Sequence, residues 1–150
     1  MLVTLVLGIW NAVANYRSSR RTTFINTVTS QRIKWIEQLT QDVATFNGLT
    51  HTWCFSALKG KLEEPEILKE IDRLRHVIRL RLNPAGAHDR RIEKLVGEIP
   101  NLTHASQRAN LVKALDELIR TTQLLLKEEW EKVKLESRHG DVSGRREPGA

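Results

Sequence analysis

Hydrophobic positions recur along most of this chain at steps of three and four residues, the spacing of one helix face. From Ile36 the seam runs Ile36, Leu39, Val43, Phe46, Thr50, Trp53 and Ala57. Ile25, Val28 and Trp35 extend it toward the N-terminus in looser register, and no proline interrupts it. The pattern predicts one helix from about Thr22 to Leu58. Gly48 is its weak point, since glycine costs about 1 kcal/mol against alanine in a helix interior. Thr22, Thr23, Thr27 and Thr29 lower helix propensity near the start and favour a kink there.

Three further helices follow from the same spacing. Lys59-Gly60-Lys61 ends the first, because glycine suits a left-handed cap and cations suit the C-terminal dipole. Glu63-Glu64-Pro65-Glu66 opens the second, with proline in the first turn and acids at the positive end. Its face is Ile67, Ile71, Leu74 and Ile78, with Leu68 and Leu82 beside it. Asn83-Pro84 stops it, since proline disfavours the helical region for the residue before it, and Ala85-Gly86-Ala87 turns the chain. A short third segment, capped by Asp89, carries Ile92, Leu95, Val96 and Ile99 and closes at Pro100. Thr103 caps the last helix, expected from about His104 to Glu136. Its stripe includes Leu111, Val112, Leu115, Leu118, Ile119, Thr122, Leu125, Leu126, Trp130 and Val133. Such width predicts packing by more than one neighbour. From Ser137 onward there is no periodicity, and residues 137–150 read as a disordered tail.

The fold class is therefore all-α. Two long helices and two short ones joined by short connections fold economically as an antiparallel bundle of about four helices. Pairing across a symmetric dimer would cover the same stripes. Trp35, Leu39, Phe46 and Trp53 are expected to be buried against Leu115, Leu118, Leu126 or Val133.

The region before the first seam differs in kind. Met1–Tyr16 carries no charged side chain, and Arg17, Arg20 and Arg21 follow at once. An apolar run ending in a basic cluster has the form of an anchor whose C-terminal side is cytoplasmic. Sixteen residues span roughly 24 Å as a helix, short of a hydrocarbon core of about 30 Å. A helix continuing to Ser19, or residues upstream of the recorded start, would supply the rest. Trp10 and Tyr16 are rings suited to headgroup depth. A cleaved signal peptide is the rival, with Ala12-Val13-Ala14 as its small-x-small site, but the arginines lie downstream, where they oppose export. The third reading is a buried or interfacial helix. The anchor reading divides the chain into residues 1–19 as anchor, 20–136 as a cytoplasmic helical domain and 137–150 as tail. It places the protein in the inner (plasma) membrane of a bacterium, single-pass with a cytoplasmic C-terminus.

Charge and cysteine content add modest constraints. The single Cys54 excludes an internal disulfide. The formal net charge of +6 is concentrated in the first 82 residues. Arg17, Arg20, Arg21, Arg73, Arg75, Arg79 and Arg81 are thus candidates for contact with anionic lipid headgroups or with an acidic partner. The competing reading pairs the second group with Glu70, Asp72 and the acidic face of the last helix. Arg32 and Trp35, three residues apart, share a helix face next to the anchor.

Three stretches carry a resemblance. "INTVTSQRIKWIEQL" (Ile25–Leu39), "RLNPAGAHD" (Arg81–Asp89) and "LLLKEEWEKVKLES" (Leu124–Ser137) are similar to a group of small, uncharacterised bacterial proteins. The resemblance implies an N-terminal hydrophobic segment followed by a helical cytoplasmic region, and carries no activity, cofactor or site residue.

Motifs for chemistry are thin. His51 and Cys54 form at most a metal half-site, and a packed cysteine beside a half-exposed histidine explains them more simply. His76, His88, His104 and His139 are scattered. No Gly-rich phosphate loop, His-Glu-x-x-His or Gly-x-Ser-x-Gly occurs. Asn101-Leu102-Thr103 has the form of a glycosylation sequon but serves better as a capping turn. Lys127–Lys132 reads as a solvated face with i,i+4 pairs. These features predict a membrane-anchored interaction or scaffold module with no catalytic residue, cofactor or metal. Its partners would be the membrane, a protein or a second copy. The alternatives are a basic nucleic-acid-binding protein, which lacks any binding motif, and a small holin- or toxin-like effector.

Overall fold

The structure, a computed structural model, describes the backbone of residues 2–56 and 60–141 and the side chains of 26–56 and 60–137. The described residues form four α-helices: α1 (Leu2–Phe55), α2 (Glu64–Arg81), α3 (Ala87–Glu98) and α4 (Arg108–Asp141). Two 3-10 turns, Ile99–Leu102 and Ala105–Gln107, join α3 to α4. Among the described residues no helix is long and apolar enough to cross a membrane. The anchor's side chains, with Arg17, Arg20 and Arg21, lie outside the described residues, as does the tail beyond Asp141.

The chain divides into two compact units, residues 35–128 and residues 1–34 with 129–150. In the larger unit the expected seam of α1 is the core: Leu39 and Phe46 are fully buried, and Ile36, Val43 and Thr50 nearly so. Ile71, Leu74 and Ile78 of α2, Ile92, Leu95 and Val96 of α3, and Leu111, Leu115 and Leu118 of α4 are buried too. All but Ile36 and the threonine belong to one apolar cluster. Polar pairs show the course of the helices. Trp53 meets Glu64 and Asp42 meets Arg81, Arg79 meets Glu93, Arg91 meets Glu117 and His88 meets Glu128, and Asn47 meets Leu115. Later residues of one helix pair with earlier residues of the other in α1 with α2 and in α3 with α4, and the Arg108 guanidinium reaching the Cys54 carbonyl beside the Asn47–Leu115 bond does the same for α1 with α4, so these three pairs run antiparallel.

Trp35 and Trp53 are half-buried rather than buried. Each indole N–H needs a partner, and each finds one at the edge of the core: Trp35 Nε1 donates to the Arg81 carbonyl at 3.0 Å and Trp53 Nε1 to Glu64 Oε1 at 3.3 Å.

Helix ends differ from several expectations. Gly60 has the left-handed backbone that its cap requires, φ +80°, and its N–H donates to Glu64. Asp89 does not cap α3; Gly86 occupies that position. Asp89 sits in the first turn, 5% exposed, and accepts the Asn83 N–H on Oδ1 at 2.8 Å. This close return explains Gly86. Its φ of −73° suits any residue, but a Cβ there would collide with Asp89 Oδ2. Thr103 does not cap the last helix. Its hydroxyl donates to the Pro100 carbonyl at 2.8 Å, which spends it on the preceding 3-10 turn, and α4 begins only at Arg108. At its far end α4 continues to Asp141, past the expected stop at Glu136 and into the segment read as tail.

Phe46→Ala should lower unfolding free energy by about 3–5 kcal/mol, because it deletes a fully buried ring. Chemical denaturation followed by circular dichroism measures it, and an unchanged midpoint would place this face outside the core. Gly86→Ala should cost roughly 1–3 kcal/mol by displacing the Asp89 carboxylate. The cost should shrink in an Asp89→Ala background, and a double-mutant cycle reads that coupling.

Candidate interaction groove

The wide stripe of α4 is only partly covered. Leu111, Leu115, Leu118 and Leu125 face the core, whereas Val112 is 39% and Ile119 42% exposed. More than one neighbour does pack on α4, with α1 meeting it at Leu115 and α3 at Glu117, yet this flank stays uncovered. The short α3 and the single long neighbour α1 leave it open. Within the larger unit, Val112, Ile119 and Leu126 of α4 and Val43, Ala44 and Gly48 of α1 line an open groove of about 580 Å³. Asp116 is the one fixed charge among its lining residues.

The exposed side of α1 that borders the groove is unusual for a solvated helix. Thr40, Gln41, Ala44, Gly48, His51 and Thr52 are all exposed, and none carries a fixed charge. From Thr40 to Ser56 the only Asp, Glu, Lys or Arg is Asp42, which is withdrawn into a pair with Arg81 Nε at 2.7 Å. Gly48 lies mid-helix with negative φ, and a Cβ built on it would meet nothing within 4 Å. At the floor, Asn47 Nδ2 donates to the Leu115 carbonyl at 3.3 Å, while its buried Oδ1 accepts nothing.

His51 stacks on Phe55, ring centroids 4.5 Å apart, and Arg108 lies over the same Phe55 ring at 5.5 Å. Burial pushes the Cys54 thiol pKa up against the opposing charge of Arg108. No group of three or more His, Cys, Asp or Glu side chains among the described residues is placed to hold a metal ion.

Each of the candidate arginines of α2 meets a carboxylate. Arg73 grips Glu70 through two bonds of 2.7 Å, Arg75 reaches Asp72 at 2.7 Å, Arg79 crosses to Glu93 of α3 and Arg81 to Asp42 of α1. Two partners are on α2 as expected; the others lie on α3 and α1, and none on α4. The bond from Arg73 holds the Glu70 carboxyl below its ordinary pKa. Arg75 also borders a smaller cavity of about 200 Å³ beside Thr50, Trp53 and Thr103, where its Nε is buried without a partner.

In the smaller unit Arg32 joins Glu129 and Glu136 of α4. Burial opposes its charge, but the bond to Glu129 and both carboxylates raise the Arg32 pKa. Burial likewise pushes the Glu129 carboxyl up, yet bonds from Lys132 and Arg32 leave its pKa below the ordinary value. Glu129 is thus not part of a solvated face, its side chain being 13% exposed. Pairs at i,i+3 occur on this stretch, Lys132 with Glu129 and Lys134 with Glu131.

No protein-family model, curated protein or solved structure matches this chain.

Because the folded Glu129 pKa is lowered, the stability it contributes is present above its unfolded pKa and lost as pH falls through the folded value. Wild-type melting temperature should therefore drop below about pH 4.5. Glu129→Gln should flatten that fall while lowering stability at pH 7. Parallel pH profiles for the two proteins would show the Arg32 cluster to be irrelevant.

Proposed function

We propose that this chain is a helical interaction module with no catalytic chemistry of its own, held at a membrane by its N-terminal segment. The observation that carries the reading is the groove of α1 and α4. Exposed Val112 and Ile119 border a chargeless helix face, whereas the exposed sides of α2 and α3 are laced with ion pairs. Interface cores are depleted of charged residues in this way. The membrane part of the proposal is supported by the uncharged Met1–Tyr16 run and the three arginines after it. A nucleic-acid reading draws less support, since Arg73, Arg75, Arg79, Arg81 and Arg91 each already face a carboxylate. Exposed pairs of this kind contribute only about 0–1 kcal/mol, so they set direction more than stability.

A photo-crosslinking residue placed at Ile119 of the full-length protein in cells should give a discrete protein adduct, and one at Lys69 on α2 should not. Ile119→Glu should melt like its parent, because that side chain is already exposed. The membrane pellet should retain the protein through a carbonate wash. Release by carbonate would refute the tether, and no adduct at position 119 would refute the interaction surface.

A further inference from the structure

We infer that the partner is a different protein presenting an acidic amphipathic helix, which lies in the groove with its carboxylates over α4. The inference rests on the interaction-module reading. Val112, Ile119 and Leu126 recur every seven residues along the α4 wall of the groove. Lys113, Arg120 and Lys127 follow them residue by residue, and are the only cations between Leu111 and Glu128. Positions seven apart drift by only about 20° around a helix, so these are two rows running side by side, one apolar and one cationic. A helix accepts a second helix on such rows: the apolar one supplies contact, and the charges flanking it choose the partner.

The cations are uncommitted. All three are exposed, and none forms an ion pair among the described residues. Carboxylates of α4 close to them in sequence are engaged elsewhere, Glu117 with Arg91, Glu128 with His88 and Glu131 with Lys134. The arginines of α2, by contrast, each hold a carboxylate. Asp116 sets a single negative charge in the groove lining against that row. The α4 side of the groove therefore calls for anions.

Spacing and asymmetry decide which anion. Successive cations stand about 10 Å apart along the axis, so a free phosphate or a single fatty acid meets only one of them. An anionic bilayer meets all three, but surfaces that lie on membranes carry Lys and Arg around the apolar strip. The α1 side has none, since no Lys or Arg occurs from Thr40 to Ser56. The apolar row also lines a recess of about 580 Å³ rather than a ridge. A helix answers each point. Its apolar stripe fills the recess, acids at seven-residue spacing meet the α4 row, and its other edge lies uncharged along Thr40, Ala44 and Gly48.

Length sets the strength. Lys113 to Lys127 spans about 21 Å, so a partner helix of roughly 15 residues covers the row. Two walls of that length and about 9 Å wide fall well below the roughly 1,600 Å² of a standard interface. The complex should accordingly be transient, and carried as much by charge as by area.

The test follows the photo-crosslink from Ile119 of the full-length protein in cells. Mass spectrometry of the adduct should show a segment with apolar residues at steps of three and four and Asp or Glu at seven-residue spacing. Combining Lys113→Glu, Arg120→Glu and Lys127→Glu should cut adduct yield at least roughly tenfold, because like charges then face each other. Gln at the same three positions should cut it less. Lys34→Glu, Lys61→Glu and Lys69→Glu together change net charge equally and should leave the yield as it was. Melting should stay close to the parent's in every case; if the reversed variant melts early, the Gln variant carries the test. An unchanged yield, a crosslinked segment without the acidic row, or an adduct to a second copy of this chain would overturn the acidic helix and leave the interaction surface standing. Adducts to lipid alone, or none, would remove both.

Discussion

The larger unit is organised around one stripe of α1, with Phe46 at its middle and no part of that ring in solvent. Residues at steps of three and four give a strip about one side chain wide. Ile71, Leu74 and Ile78, then Ile92 and Val96, then Leu111 and Leu118 join it in one buried cluster. That shared target is why two helices of modest length suffice to return the chain. Buried threonines do not disturb the arrangement, since Thr50 donates to the Phe46 carbonyl at 2.7 Å and Thr122 to the Leu118 carbonyl at 2.8 Å. Their hydroxyls are satisfied within their own helices. Asn47 is different. Its bond to Leu115 ties α1 to α4, but the Oδ1 left over costs on the order of 1–3 kcal/mol, so its contribution is to register rather than to net stability.

The seams were legible because burial follows periodicity, and periodicity is written in the residue types. Ile36 to Thr50, Ile71 to Ile78 and Ile92 to Ile99 are buried as their spacing predicts. Helix starts were less legible, because a capping side chain has more than one backbone group in reach. Asp89 and Thr103 have the chemistry of N-caps, yet one accepts from Asn83 and the other donates to Pro100. Nor does a stripe's width reveal how much of it is covered, and Val112 and Ile119 remain exposed. The arginine-rich face of α2 was visible, but its partners depended on which carboxylates the fold would bring near, and Glu93 and Asp42 are far away in sequence. The groove itself left one trace in the sequence: an exposed helix stretch with almost no charge and a glycine at its centre.

That trace has a structural counterpart in how α1 is turned about its axis. Arg81, at the last turn of α2, donates to Asp42 and Gln38 of α1, both at 2.7 Å. The carbonyl of the same residue accepts the Trp35 indole N–H. At the other end of the pair, Glu64 accepts from Trp53 and from the Gly60 backbone. Two clamps about three turns apart along α1 fix its rotation relative to α2. The single acidic residue of the stretch is thereby drawn toward α2, and Thr40, Ala44 and Gly48 are left on the open side.

Rotation and charge are thus one design feature rather than two. Had α1 been turned so that Asp42 pointed outward, the exposed face would carry a carboxylate in place of Ala44, which lies two residues away on another side of the helix, and any close helix contact there would have to bury it or answer it. Burying an unpaired carboxylate costs several kcal/mol, more than a face of this size can recover. Pairing Asp42 with Arg81 removes that obstacle while adding little stability of its own, because partly solvated ion pairs contribute only about 0–1 kcal/mol. The value of the Arg81 clamp lies in what it keeps off the surface. It holds a neutral, small-residue face toward solvent, and that face is where the chain's unexplained glycine stands.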